Sequence, residues 1–160
     1  MKLSGIEIID IAKKIETFGV AFYDEAARRA KTPEVRELFE FLREEEKRHE
    51  RAFERMLAGM PSQNDDWRDR EEYLGYMSVL AEDLVFPEPD VARRMAAELV
   101  DEKAALARAL EFEKESILYF HEVRTMVREE DHAILDKLID EERKHLRMLR
   151  DRIRQIAALG

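Results

Sequence analysis

The sequence predicts an all-α protein, a bundle of four long helices arranged as two antiparallel hairpins joined by a long, partly helical crossover. Three observations favour this fold class. The 160-residue chain is 41% charged and contains only 5 Gly and 4 Pro, which is typical of long amphipathic helices. Apolar residues recur at three- and four-residue spacing. Residues 60 to 100 form a connection that is far longer than an ordinary helix–helix turn. We therefore expect one domain over residues 1–160, with its crossover at about 60–100.

Composition excludes several classes of site. The chain has no Cys, so disulfides, iron–sulfur clusters and a rubredoxin-type iron with four cysteine ligands are excluded. The net charge of −9 argues against nucleic acid as the main partner. The sequence shows neither an apolar run near 18 residues nor a signal-peptide pattern. We expect a soluble, cytoplasmic protein with no membrane partner.

The first predicted helix starts at a capping box formed by Ser4 and Glu7 and runs to about Ala30. Glu16 lies at the edge of its apolar stripe. Gly19 should cost roughly 1 kcal/mol inside a helix, which indicates that a neighbour needs the space. The stripe consists of Ile8, Ile11, Ile15, Phe18 and Phe22.

The second predicted helix starts at Thr32 as N-cap with Pro33 as its first residue, and it ends near Gly59. Glu46 and His49 continue its apolar face. The other residues of that face are Val35, Leu38, Leu42, Phe53 and Met56. The short turn before this helix predicts an antiparallel hairpin.

The crossover and the second hairpin follow. The sequence predicts a weaker helix over Arg68–Leu84 and a short one, capped by Asp90, that ends at about Glu98. Asp101 is the predicted cap of a third long helix that reaches about Val127. A fourth long helix runs from near Asp131 to about Ala157. Glu142 and His145 fall within its apolar face, together with Ile134, Leu135, Leu138, Leu146 and Leu149.

The two halves of the chain repeat one pattern of polar residues. A helical Glu is followed about 30 residues later by Glu-x-x-His, whose two side chains share a helix face. The first half contains Glu16, Glu46 and His49, and the second contains Glu113, Glu142 and His145. Each of these residues lies on or beside an apolar face, so we expect all six to meet at the centre of the bundle.

Four carboxylates in a low-dielectric core are strongly unfavourable unless cations neutralise them. Two divalent metal ions would do so, and one Glu from each of two helices plus Glu-x-x-His from the other two is a known di-metal ligand set. Carboxylate and imidazole ligands suit Fe or Mn, and the spacing is also compatible with Zn. Small residues beside the single Glu of each half leave room for metal and a small ligand: Ala12, Gly19, Ala109 and Ser116.

Three further residues are candidates for contacts to these ligands. Glu44 and Asp140 each precede a ligand Glu by two positions and could accept the other imidazole N–H, although exposed charges are an equally good interpretation. Tyr23, seven residues after Glu16, could donate a hydrogen bond to a ligand carboxylate or be ordinary core.

Two other histidines are predicted to lie outside the site. Glu129 and His132 form a third Glu-x-x-His, but they stand at the start of the fourth helix with no upstream Glu in register. His121 has no Glu three residues before it. We interpret all three residues as surface or structural.

At these positions the chain resembles the rubrerythrin family of the ferritin-like superfamily. The resemblance covers nearly the whole length and includes Tyr23. It implies a ferritin-like four-helix bundle with a site for two Fe ions, reaction with hydrogen peroxide or dioxygen, and a homodimer. Rubrerythrins usually carry a further Glu where this chain has Ser116, so the ligand set is closer to the symmetric one of bacterioferritin-type centres. A rubredoxin-like domain is lacking, which implies an external electron donor protein.

Three functions remain open from the sequence. The first is an oxidoreductase that consumes peroxide or dioxygen in oxidative-stress defence. The second is a ferroxidase or iron-handling protein, which needs a large hollow assembly. The third is a non-enzymatic bundle that binds metal for stability or sensing.

Overall fold

The computed structural model describes residues 5–59, 79, 89–127 and 129–159, and no strand occurs in these ranges. The described part consists mainly of five α-helices: α1 (Gly5–Arg29), α2 (Pro33–Gly59), α3 (Pro89–Glu98), α4 (Glu102–Met126) and α5 (His132–Leu159). A 3₁₀ turn, Glu129–Asp131, precedes α5. The predicted all-α fold is confirmed, with α1, α2, α4 and α5 as the four long helices. None of the described helices has both the length and the apolar character needed to cross a membrane.

Local signals in the sequence fix most helix starts. The carbonyl of Thr32 accepts hydrogen bonds from the amides of Val35 and Arg36 at 3.1 and 3.0 Å, so α2 begins at Pro33 as predicted. Oδ1 of Asp101 accepts from the amide of Ala104 at 2.8 Å, which confirms the predicted cap of α4.

Three other predicted helix starts are either wrong or lie outside the described residues. The predicted cap at Asp90 is wrong, because α3 begins at Pro89 and the Asp90 carboxylate binds Arg93 in the first turn. The capping box at Ser4 and the helix over Arg68–Leu84 lie outside the described residues, apart from the exposed, helical Val79.

The helices pack as two antiparallel hairpins. Helix α1 lies against α2, and α4 lies against α5, while α1 also contacts α3 and α4. Helices α2 and α5 contact each other little. Two apolar cores fill the interior. One includes Phe22, Phe39, Leu106 and Leu149, and the other includes Ile9, Phe53, Phe120 and Leu135. Each core draws on all four long helices, so the residues between them form a layer at the middle of the bundle.

A carboxylate that the sequence did not single out links the two hairpins. Oε1 of Glu102, in the first turn of α4, accepts hydrogen bonds from the amides of Lys31 and Thr32 at 2.5 and 2.6 Å. Its Oε2 accepts from the Thr32 hydroxyl at 2.6 Å. Burial alone would raise the pKa of Glu102, but these hydrogen bonds hold it below the ordinary value. The turn between α1 and α2 is thereby fixed to the start of α4.

Candidate metal centre

The layer between the two apolar cores is polar and almost completely buried. Helices α1 and α4 each contribute one Glu, and α2 and α5 each contribute one Glu and one His. All six predicted site residues meet here, with side chains no more than 7% exposed: Glu16, Glu46, His49, Glu113, Glu142 and His145.

Helix periodicity explains how these residues reach the interior. On α2, Glu46 and His49 follow Leu42 by four and seven positions, which places them on the same face, and all three are buried. On α5, Glu142 and His145 stand in the same relation to the buried Leu138. The apolar stripe that drives each helix into the core therefore carries its polar pair inward.

The six residues form two overlapping groups of four. In each group, one potential ligand atom per residue lies within 4.8 Å of the others. The first group is Glu16, Glu46, His49 and Glu142, and the second is Glu46, Glu113, Glu142 and His145. Glu46 and Glu142 belong to both groups. The arrangement is thus two adjacent sites that share two carboxylates.

Both imidazole rings present Nδ1 to the carboxylates. Nδ1 of His49 lies 2.7 Å from Oε1 of Glu142 and 3.5 Å from Oε2 of Glu16. Nδ1 of His145 lies 3.0 Å from Oε2 of Glu142 and 3.6 Å from Oε2 of Glu113. The two rings are nearly parallel, at 18°, with centroids 5.6 Å apart. The histidines therefore stand side by side, each with Nδ1 directed to its own group.

The opposite ring nitrogens meet carboxylates from the other hairpin. Nε2 of His49 donates to Oε2 of Glu141 on α5 at 3.1 Å, since a carboxylate can only accept. Nε2 of His145 lies 3.8 Å from Oε2 of Glu45 on α2. Burial would raise the pKa of Glu45, but the ion pair with Arg48 and the nearby imidazolium charges hold it below its ordinary value. Glu141 therefore braces His49 across the α2–α5 gap by a hydrogen bond, and Glu45 lies beside His145 at ion-pair distance.

Of the two interpretations that the sequence left open for Glu44 and Asp140, the structure supports exposed charges and not contacts to the histidines. Glu44 is exposed and binds Lys47 at 2.8 Å, and Asp140 is exposed and binds Arg143 at 2.8 Å. A signal for Glu45 and Glu141 was present in the sequence, because each directly precedes the Glu of a Glu-x-x-His and lies four residues before its His.

Two residues of α1, Tyr23 and Gly19, lie next to carboxylates of the cluster. The Tyr23 hydroxyl donates a hydrogen bond to Oε1 of Glu113 at 2.5 Å. Gly19 makes room for a shared carboxylate, because a Cβ there would lie 3.1 Å from Cγ of Glu46. A small cavity of about 10 Å³ adjoins these residues. Its lining also includes Phe18, Phe112 and Ser116.

Burial and charge shift the pKa values of the cluster strongly. Burial raises the pKa of Glu16 and Glu46 well above the usual range, and raises that of Glu113 to about 8. Burial disfavours the imidazolium forms, yet the surrounding carboxylates raise the pKa of His49 to about 10 and that of His145 to about 11.

Glu142 is the exception among the four carboxyls. Burial would raise its pKa, but the His49 charge and hydrogen bonds from Glu113 and His145 lower it below the ordinary value. These shifts favour the protonated forms of Glu16, Glu46, Glu113 and the two imidazoles, and they leave Glu142 as the carboxyl that ionises most readily.

The residues present fit a pair of divalent metal ions. Among the described residues, four buried side-chain atoms have no hydrogen bond, and all belong to the cluster: both carboxylate oxygens of Glu16, Nδ1 of His49 and Oε1 of Glu142. Buried polar atoms normally have a partner, so three buried carboxylate oxygens without a hydrogen bond indicate a site for cations. Mixed oxygen and imidazole donors suit Fe, Mn or Zn.

The other two histidines lie outside the cluster, as predicted. Nε2 of His132 lies 3.3 Å from the carbonyl of Val127, a helix-end contact, and Glu129 is exposed. His121 is exposed and its Nε2 accepts from Arg143 at 3.2 Å.

The sequence matches a known protein family. A family model for rubrerythrin matches residues 7–153, a range that contains every residue of the cluster. No curated protein and no solved structure matches the chain.

Proposed function

The chain belongs to the rubrerythrin family, and from this premise we propose that its buried cluster binds two iron ions and reduces hydrogen peroxide or dioxygen in defence against oxidative stress. One observation carries the proposal: two four-residue groups share Glu46 and Glu142 within a buried layer. This is the ligand arrangement of di-iron and di-manganese carboxylate bundles.

Under this proposal, each residue of the cluster has a defined role in metal binding. Glu16 and His49 would hold one ion, and Glu113 and His145 would hold the other. The shared pair, Glu46 and Glu142, would contact both, which the distances of their carboxylate oxygens to the two imidazoles support (Glu46 at 3.9 and 3.8 Å, Glu142 at 2.7 and 3.0 Å). Mn and Zn fit the same donors, but Zn is not redox-active, so we propose Fe.

Two bound ferrous ions would supply the two electrons that, with two protons, convert one peroxide molecule into two water molecules. The protein would orient the ligand side chains and enclose the site. Tyr23 keeps its proton, because burial and then the nearby Glu113 charge raise its pKa well above the usual value, so its hydroxyl can donate to Glu113 at neutral pH. Ile15, Phe18 and Phe112 wall the small cavity beside Glu113, whose volume of about 10 Å³ is room for about one water-sized molecule.

The electrons consumed in each cycle must come from outside this chain. It contains no Cys and so has no rubredoxin-type iron of its own. We propose an external electron donor protein, and a homodimer as the working form in the cytoplasm.

Stopped-flow oxidation tests this function. The iron-loaded, chemically reduced protein is mixed under anaerobic conditions with peroxide, and separately with dioxygen. We expect oxidation to be much faster than in a Glu16→Ala, Glu113→Ala double variant. A Glu44→Ala, Asp140→Ala double variant, which removes two exposed carboxylates, should react like the unmodified protein. Equal rates in all three samples would reject an oxidoreductase.

Light scattering on the same samples separates the remaining alternatives. A dimer agrees with the proposal, whereas a large hollow assembly would indicate iron storage. Metal binding that raises the melting temperature without any redox turnover would indicate a structural or sensory bundle.

A further inference from the structure

A basic groove runs along the surface between α2 and α5. These two helices contact each other little, and they leave an open cavity of about 570 Å³. Residues spaced by three and four positions on each helix line it, which means that one face of each helix forms one wall. Four of the lining residues are cationic: Arg48, Arg51, Arg55 and Lys137.

The charge of this groove is opposite to that of the protein as a whole. The chain carries a net charge of −9, whereas the lining of this groove contains four cationic side chains and one carboxylate, that of Glu141. Arg51 and Arg55 are exposed and form no ion pair with any part of the chain that the structure describes. Like charges held close together repel each other and attract an oppositely charged partner. The two free guanidinium groups are therefore available to acidic groups of another molecule.

The floor of the groove is the outer edge of the metal centre. His49 and Glu141 both line it. Nζ of Lys137 lies 3.9 Å from Oε1 of Glu141, whose Oε2 accepts the hydrogen bond from Nε2 of His49 at 3.1 Å. Nδ1 of the same imidazole faces the cluster. A molecule seated in the groove would be separated from the centre by one imidazole ring.

We propose that this groove docks an acidic one-electron carrier protein, and that the His49 edge is where its electrons pass to the cluster. The inference rests on the proposed function. Each encounter oxidises one carrier and returns one electron to the centre, so two encounters balance each peroxide reduced to water. Transient redox complexes have small, charge-steered interfaces, which suits a groove of this size. A nucleic acid is not an electron carrier, so it would not supply the cluster with the electrons that the proposed function needs.

Binding and electron transfer can be measured with an acidic rubredoxin as the probe. Calorimetric titration of the iron-loaded protein at low ionic strength should show binding that weakens steeply as salt is added. An Arg51→Glu, Arg55→Glu double variant should lose about tenfold or more in affinity and in the rate of reduction by the probe. The matched control is Arg94→Glu, Arg150→Glu, which makes the same charge change at exposed residues outside the groove and should behave like the unmodified protein.

Several outcomes would overturn the docking site. These are an absence of binding, an equal loss in both double variants, a change of oligomeric state in the groove variant alone, or tighter binding of duplex DNA than of the probe. Oxidation by peroxide after reduction with dithionite needs no carrier. If this oxidation is seen in the unmodified protein while the probe fails to bind that same protein, the docking site is wrong and the proposed function stands.

Discussion

Folding favours the protonated forms of Glu113, His49 and His145 in the buried cluster. Burial raises the pKa of Glu113 to about 8, and the neighbouring carboxylates, against the effect of burial, raise those of His49 and His145 to about 10 and 11. Each of these groups binds its proton more tightly in the folded protein than in the unfolded chain. Metal ions would displace these protons, so metal affinity should rise with pH.

The same protons make the stability of the metal-free protein depend on pH. When folding raises the pKa of a group, its proton stabilises the folded state. This contribution is complete below the pKa of the group in the unfolded chain, 4.5 for Glu and 6.5 for His. It is lost as the pH rises through the pKa of the group in the folded protein. The free energy of unfolding should therefore fall between about pH 5 and pH 9. Glu142, whose pKa is lowered, loses its contribution only below about pH 4.5.

Urea unfolding with a chelator present, repeated across this pH range, measures the effect. A Glu16→Gln, Glu113→Gln double variant should give a flatter pH profile, because the amides do not titrate. Stability that is constant or rises from pH 5 to pH 9 would show that the cluster does not hold these protons.

Substitution of Tyr23 should reduce metal affinity in addition to stability, and a matched control should reduce stability alone. Tyr23→Phe removes the hydrogen bond to Oε1 of Glu113, and we expect metal affinity to fall by about tenfold or more. Tyr119→Phe is the control, because the Tyr119 hydroxyl is also buried but donates to the backbone carbonyl of Ile8. Each variant should lose about 1 kcal/mol of unfolding free energy. Iron titration should distinguish them, and equal affinities would contradict the role of Tyr23.

At the scale of the helix, period and caps were sufficient to predict much of the structure. The stripe of α1 and the caps at Thr32 and Asp101 indicated which segments become helical and which face turns inward. The sequence left the role of Glu44 and Asp140 open, because which carboxylates reach the histidines depends on how α2 and α5 are rotated relative to each other. That rotation comes from packing between helices, which the period of a single helix does not contain.

The pair beside the histidines, Glu45 and Glu141, leads to a prediction for these two helices. Glu45→Gln or Glu141→Gln should weaken metal binding by about 10- to 100-fold, because the bracing carboxylate orients the imidazole and increases its basicity. Glu44→Gln and Asp140→Asn, the neighbouring carboxylates that bind surface cations, should leave affinity unchanged. Competition titration against a chelator measures all four variants. If all four lose affinity equally, the effect is one of net charge and not of bracing.

At the scale of the whole molecule, one carboxylate fixes the relative position of the hairpins. Glu102 binds residues that precede it by about 70 positions, and no local pattern predicts such a contact. Glu102→Ala should lower the free energy of unfolding by about 1–3 kcal/mol, because it leaves the Lys31 and Thr32 amides without this acceptor. Chemical denaturation measures the loss, with the exposed Glu98→Ala as control. Iron stoichiometry should not change, and an unaltered stability would mean that the link contributes nothing.

The internal repeat predicted the residues of the metal centre more reliably than a single Glu-x-x-His motif could. Glu-x-x-His also occurs at Glu129 and His132, yet the structure keeps that pair away from the cluster. Only the two copies that follow a helical Glu in register converge. The identity of the metal and the rotation of the helices depend on the folded arrangement, so neither could be predicted from spacing.

The central claim is that six buried side chains hold two metal ions. Anaerobic titration of the metal-free protein with ferrous iron, with bound metal counted per chain, tests it most directly. We predict two irons per chain, and loss of both in the Glu16→Ala, Glu113→Ala double variant, since each group of four loses one member. Iron that does not bind stoichiometrically, or binding that is the same in the double variant, would contradict the account.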